Sequence, residues 1–311
     1  AVTDHFYKRM FSHNPELKHI FNMTNQETGR QQFALFNALA AYAQNIDNLA
    51  VLKHAVERIA QKHTSFHIQP SHYQIVGLHL IETLRELLPT QFTDEVEAAW
   101  TAAYGVLANV FIQREETLYS ERESAKGGWR GKRAFCLIEK KVESALVTSF
   151  VFEPMDQQAV IDYQVGQYIG IELTPTGSEN IEIRQYSLSD APNGKTYRIS
   201  VKRELGEHKG LMSNHLHDHL TIGDIVDLHA PAGDFYFMPR QSPVVLVSAG
   251  VGITPMQAML EKLAGENYDQ QINYLHACEN AEQHSFQKRT DELCRDNGWQ
   301  HNIWYTKEEA C

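Results

Sequence analysis

Apolar residues in the first 122 positions recur at spacings of three and four, the period of one helical face. Residues 49–63 line up Leu49, Leu52, Val56, Ile59 and His63 on one stripe. Residues 30–44 do the same with Gln31, Leu35, Leu39 and Tyr42. Gln69-Pro70 starts another helix, proline being favoured in a first turn. Its face carries Tyr73, Val76, Leu80, Leu84 and Leu87. Residues 94–119 give Val96, Trp100, Tyr104, Leu107, Phe111, Glu115 and Leu118. From 132 to 240 the pattern alternates and is rich in β-branched and aromatic residues, which predicts strands. After Pro243 the order is strand, loop, helix, strand. The polar, glycine-containing stretch ESAKGGWRGK (123–132) separates the helical from the strand-rich part. The chain opens at Ala1 inside a helix-like pattern and stops just after the strand-like NIWYT (302–306), so a fragment is expected.

Composition narrows the function classes. A chain of 311 residues that is 42% hydrophobic fits two or three soluble globular domains. A formal charge of -11 argues against nucleic acid or an anionic membrane as main partner. No apolar run is long enough to span a bilayer, and the start lacks a signal-peptide pattern. Cys136, Cys278, Cys294 and Cys311 are scattered, with no CxxC and no CxxCH, which fits a cytoplasmic protein. Nothing marks an oligomer, and a monomer is expected.

Three places carry candidate chemistry. His63 ends an apolar stripe, so it is either a hydrogen-bonded core histidine or a metal ligand. Glu115 sits on the apolar stripe of its own helix, where a carboxylate needs a partner. Tyr73, near the start of the helix after His63, also needs one when buried. A histidine whose second ring nitrogen meets a carboxylate is a stronger ligand, and these three residues make such a set; three unrelated polar residues remain the other reading. The second place is RQYSLS (184–189), where Arg184 offers a phosphate clamp and Tyr186 and Ser187 an aromatic and a hydroxyl for a flavin ring. Nearby, GLMSNHLH (210–217) opens a short helix whose backbone N–H groups suit a pyrophosphate. The third is SPVVLVSAGVGITPM (242–256), a strand, a glycine loop and a helix start.

The chain resembles the flavohaemoglobins, the bacterial and fungal nitric oxide dioxygenases. The resemblance rests on HFYKRMF (5–11), NPELKHIFNM (14–23), AQKHTSF (60–66), HYQIVGLHL (72–80) and AYGVLANVFIQRE (103–115), joined by the RxYS and GxGxTP strings. It implies an all-α globin lacking its first helix (1–126), a linker (127–131), an antiparallel β-barrel FAD domain of ferredoxin-reductase type (132–240) and a partial α/β NAD(P)-binding domain (241–311). It implies His63 as the iron ligand, Tyr73 and Glu115 as the relay behind it, and Tyr7 as the distal tyrosine. It further implies Gln31 and Leu35 as distal-pocket lining, Phe21 as packing on haem, and Lys62 as a position that tunes potentials. By the same resemblance, Tyr168, Arg184, Gln185, Tyr186 and Ser187 are expected to contact FAD, and PAGDF (231–235) to close the barrel. The resemblance makes Gly250, Val251, Gly252, Ile253, Thr254 and Pro255 candidate contacts for the nicotinamide dinucleotide. The family's CGP loop and the C-terminal aromatic that covers the flavin have no counterpart here.

The activity implied is nitric oxide dioxygenation with haem b, FAD and NAD(P)H: hydride passes to FAD, electrons to haem iron, and the oxygenated haem turns NO into nitrate. The partners are then O₂, NO and NAD(P)H. Two other readings stay open: an O₂ or NO sensor or carrier whose flavin part only keeps iron ferrous, and a flavin reductase of ferric ions or quinones whose helical part is not a globin.

Overall fold

The structure is a computed structural model that describes residues 2–21, 30–206 and 209–307; of residues 30–32 only the backbone is described. The chain divides into two compact units, Ala1–Glu121 with Ser178–Ile183, and Arg122–Gly177 with Arg184–Cys311.

The first unit is helical. α1 (Val2–His13), α2 (Arg30–Gln44), α3 (Lys53–Thr64), α4 (Pro70–Leu87) and α5 (Asp94–Ser124) follow in order. The stripe over 49–63 is split: Leu49–Leu52 forms a 3₁₀ turn and the α-helix begins at Lys53. Two core clusters form. One joins α1 to α4 through Phe6, Tyr7, Met10, Leu80 and Leu84. The other joins α3 to α5 through Ala60, Phe111 and Leu118, with Val56, Ile59 and Tyr73 against them. A buried polar tie also holds α1 to α4. Arg9 can only donate, so His79 Nδ1 accepts from it at 2.5 Å, and His79 Nε2 donates to Asn14 Oδ1 at 2.8 Å. Gly77 lets α4 and α5 approach closely: a Cβ there would stand 2.4 Å from Tyr104 Cε1.

The second unit carries two sheets. β1 (Lys132–Val142), β2 (Val147–Pro154), β3 (Tyr168–Leu173), β4 (Glu182–Ser187), β5 (Tyr197–Lys202) and β6 (Ile225–His229) form one sheet in the order β4-β3-β6-β1-β2-β5. A bridge between Leu188, just past β4, and Ile199 of β5 ties its two edges into a barrel. α6 (Leu211–Asp218) follows β5. Parallel β7 (Val244–Ala249), β8 (Ile272–Cys278) and β9 (Gln300–Tyr305) form the other sheet, linked by α7 (Ile253–Gly265) and α8 (Gln287–Asn297). A helix between parallel strands is what their crossover requires. The barrel and the α/β part share one core, running from Phe135, Phe150 and Ile171 to Leu246, Leu260 and Tyr274. This is the all-α, antiparallel-barrel, α/β series that the sequence implies.

Not every patterned residue is covered. Leu87 is 38% and Val96 37% exposed. Leu87 is the last and Val96 the first residue of its stripe.

Candidate functional site

In the helical unit, α3, α4 and α5 bring His63, Tyr73 and Glu115 to one point. Glu115 is 3% exposed. Tyr73 Oη donates to Glu115 Oε1 at 2.5 Å, and His63 Nδ1 lies 2.8 Å from the same oxygen. A carboxylate accepts only, so His63 Nδ1 carries the proton and Nε2 keeps its lone pair. That proton is shared with Tyr73 Oη, 2.9 Å from Nδ1. Burial first, then the charge of Glu115, pushes the Tyr73 phenol far above its ordinary range, so it stays a donor. The His63 ring is one-third exposed and lies 5.8 Å from that of Phe111. An imidazole with a fixed tautomer, a free Nε2 lone pair and apolar neighbours suits an iron ligand. Lys62 is exposed beside it.

Tyr104 stands behind this set. Its hydroxyl donates to the Tyr73 carbonyl at 2.6 Å, and its ring needs the missing side chain of Gly77. The sequence shows Tyr104 only as a member of its apolar stripe and does not single out Gly77; a glycine inside an apolar helical pattern was the available signal. Of the other histidines in 59–73, His72 Nδ1 caps α4 by accepting from Gln69 N at 3.0 Å, and His67 turns the chain at φ 56°.

Tyr7, Phe21 and Leu35 fall in the α1–α4 cluster. Tyr7 is 5% exposed, and its ring lies 6.0 Å from that of Phe21. The Gln31 side chain lies outside the described residues.

In the barrel, β4 carries Arg184, Gln185, Tyr186 and Ser187, all half-buried. Burial raises the Tyr186 phenol and the nearby Arg184 charge opposes it, so Tyr186 stays neutral. Gln185 Nε2 is buried with no protein partner. A buried amide donor of this kind calls for an acceptor from a ligand. β3 brings Tyr168 alongside. Tyr168 and Ala232 exchange two backbone hydrogen bonds of 2.9 Å, and Gly233 adopts φ 120° under the tyrosine ring. A Cβ on Gly233 would lie 2.9 Å from Tyr168 Cε1. Gln167, which sequence reading missed, ties these pieces together: its carbonyl accepts from Leu188 N at 3.0 Å, and its amide donates to Gly233 O at 3.1 Å. The polar side chains of 210–217 serve the fold instead. Ser213 donates to Gly210 O and Asn214 to Glu204 O, leaving only backbone N–H groups at the start of α6 for a ligand.

In the α/β part, Gly250–Gly252 forms a 3₁₀ turn between β7 and α7, with Gly250 at φ 51°. Ile253, Thr254 and Pro255 open α7, and Thr254 Oγ1 donates to Val251 O at 3.0 Å. The turn lies at the C-terminal end of a parallel strand, where open α/β sheets bind ligands.

Fold and sites together define a class: a globin joined in one chain to a flavin- and nicotinamide-binding reductase. Residues 4–111 match the globin family, 134–237 the oxidoreductase FAD-binding domain and 246–310 the oxidoreductase NAD-binding domain. The chain is 62% identical over its whole length to a flavohemoprotein of Vibrio cholerae serotype O1 and covers 79% of that protein. It is similar to the structure of a flavohemoglobin from Malassezia yamatoensis with bound FAD and heme, at 27% identity and a TM-score of 0.85, covering 99% of this chain and 80% of that one. The FAD/NAD-binding domain of nitric oxide dioxygenase from Vibrio cholerae O1 biovar El Tor matches 57% of this chain and 76% of its own, at 55% identity and a TM-score of 0.56. The chain belongs to the flavohemoproteins. It is an oxidoreductase whose family uses haem, FAD and a nicotinamide dinucleotide. Among the described residues no helix is long and apolar enough to cross a membrane.

Proposed function

We propose that this flavohemoprotein is a cytoplasmic NAD(P)H-dependent nitric oxide dioxygenase that protects against nitrosative stress. The observation that carries it is the His63–Tyr73–Glu115 set. Haem bound at His63 supplies the iron for oxygen chemistry, FAD supplies the step from two-electron to one-electron transfer, and NAD(P)H supplies hydride. The residues of the chain position and polarise. Glu115 holds the proton on His63 Nδ1 and so fixes Nε2 as the ligand atom. The Tyr73 hydroxyl gives the same Glu115 oxygen a second donor. Tyr7 is the distal hydroxyl donor in this reading, with Gln31 and Leu35 lining its side and Phe21 packing there. Arg184 to Ser187 and Tyr168 hold the flavin, and the backbone of Gly250 to Pro255 receives the dinucleotide phosphates. Its partners are O₂, NO and NAD(P)H, and it works as a monomer.

The test is NO consumption by the intact protein with NADH and O₂. Nitrate should form with turnover, and His63→Ala should abolish both turnover and the native Soret band. A His63→Ala protein with full activity and an unchanged haem spectrum would end the proposal. O₂ and NO binding without nitrate formation would favour the sensor or carrier reading instead.

A further inference from the structure

The covered face of the parallel sheet is unusually polar at one spot. Ser248 and His276 are register partners near the C-terminal ends of β7 and β8. Ser248 Oγ lies 2.8 Å from Tyr274 Oη and 2.8 Å from His276 Nδ1. Tyr274 is fully buried and His276 is 1% exposed. The proton count favours one arrangement. If Tyr274 donates to Ser248 and Ser248 donates to His276 Nδ1, only the His276 Nε2 proton is left without a partner. The reverse order strands both the Tyr274 proton and the Nε2 lone pair, which costs more in a buried site. The Ser248 hydroxyl is therefore fixed from two sides.

Its position gives that fixation a use. Ser248 stands two residues before Gly250, and its Cβ lies 3.9 Å from where a Cβ on Gly252 would stand. Ser248 is the floor of the Gly250–Gly252 turn. His276, His284 and His301 each bury an Nε2 with no partner, but no group of three ligating side chains among the described residues could hold a metal ion. The ordered product of the network is the placement of Ser248, not an ion site.

We infer that Ser248, oriented by His276 and Tyr274, is a positioning residue that sets the Gly250–Pro255 turn for nicotinamide-dinucleotide binding. The inference rests on reading that turn as the dinucleotide site. Ser248→Ala and His276→Leu each break the network; His276→Asn keeps a polar atom near the place of Nδ1.

The experiment is calorimetric titration of the intact protein with NAD⁺, together with NADH oxidation using ferricyanide as acceptor, an assay that needs neither haem nor NO. Loss of the buried bonds should raise the Kd for NAD⁺ and the KM for NADH roughly three- to tenfold in Ser248→Ala and His276→Leu, with kcat moving less than KM, and His276→Asn should bind within about twofold of the parent. FAD absorbance and Tm report folding, and if His276→Leu does not fold, Ser248→Ala decides. Parental Kd in Ser248→Ala with FAD retained overturns the inference, as does a folded His276→Asn as weak as His276→Leu. A parent that binds no NAD⁺ defeats the dinucleotide reading and the inference together, whereas a binding parent with unaltered variants defeats the inference alone.

Discussion

Glu115 is the most exacting residue in the helical unit. A carboxylate at 3% exposure persists only where donors meet it, and here Tyr73 and His63 both do. Removing one donor tests how much rests on each. Tyr73→Phe keeps the ring but leaves the carboxylate with His63 alone, so a loss of about 1–3 kcal/mol is expected in urea unfolding. Glu115→Gln keeps the shape but replaces the anion with an amide. His63 then donates to a weaker acceptor, and haem affinity or NO turnover should fall about 10- to 100-fold, read from haem titration and initial rates. A variant that binds and turns over like the parent would show that the carboxylate does not act on His63. His63 and Glu115 were legible as candidates in the sequence because each is a polar residue on an apolar stripe. Ser248 and His276 were not, because they meet only through the parallel register of β7 and β8.

Elements were more legible than the contacts between them. The stripe over 30–44 corresponds to α2 at both ends, and Gln69-Pro70 marks the start of α4. The stripe over 49–63 reads through the break at Lys53, because a 3₁₀ turn and an α-helix repeat apolar positions at nearly the same spacing. What periodicity cannot report is how closely two helices approach. Gly77→Ala probes this on α4. Alanine favours a helix over glycine by about 1 kcal/mol. Against that, its Cβ would stand 2.4 Å from Tyr104 Cε1, and the Tyr104 ring is tethered by its hydrogen bond to the Tyr73 carbonyl. Overpacking costs about 1–3 kcal/mol, and a broken tether adds about 1 more. The net expectation is a destabilisation of about 1–3 kcal/mol, seen as a lower urea midpoint with an unchanged slope. A stabilised Gly77→Ala would mean that α5 shifts without cost.

Across the whole molecule, acid should act on the α/β part in one pH window and on the barrel in another. Burial first, and then repulsion by His284 and by His301, lowers His276 from its ordinary 6.5 to about 4. Burial also lowers His284 and His301, against the attraction of Asp291. Tyr274 and Tyr305 add only neutral hydroxyls around the cluster. Between pH 6.5 and 4 the unfolded chain binds protons that the folded cluster refuses. This contribution to stability is therefore complete above pH 6.5 and lost as pH falls toward 4. His276 alone accounts for something on the order of 3 kcal/mol. Glu172 in the barrel behaves differently. Hydrogen bonds from His229 and then Lys132 outweigh burial and hold Glu172 down at about 2, so its contribution is complete above pH 4.5 and lost only toward 2. His215 and His217 on α6 shift the same way as His276 but are only half-buried. At pH 5, backbone hydrogen exchange in β7, β8 and β9, taken relative to the intrinsic rate at that pH, should thus accelerate well before that in β1, β2 and β6, as expected for sub-global opening. His276→Asn removes the titrating ring and should flatten the loss of stability between pH 6.5 and 4. Equal acceleration of both sheets at pH 5, or an acid limb unmoved by His276→Asn, would place the sensitive groups elsewhere.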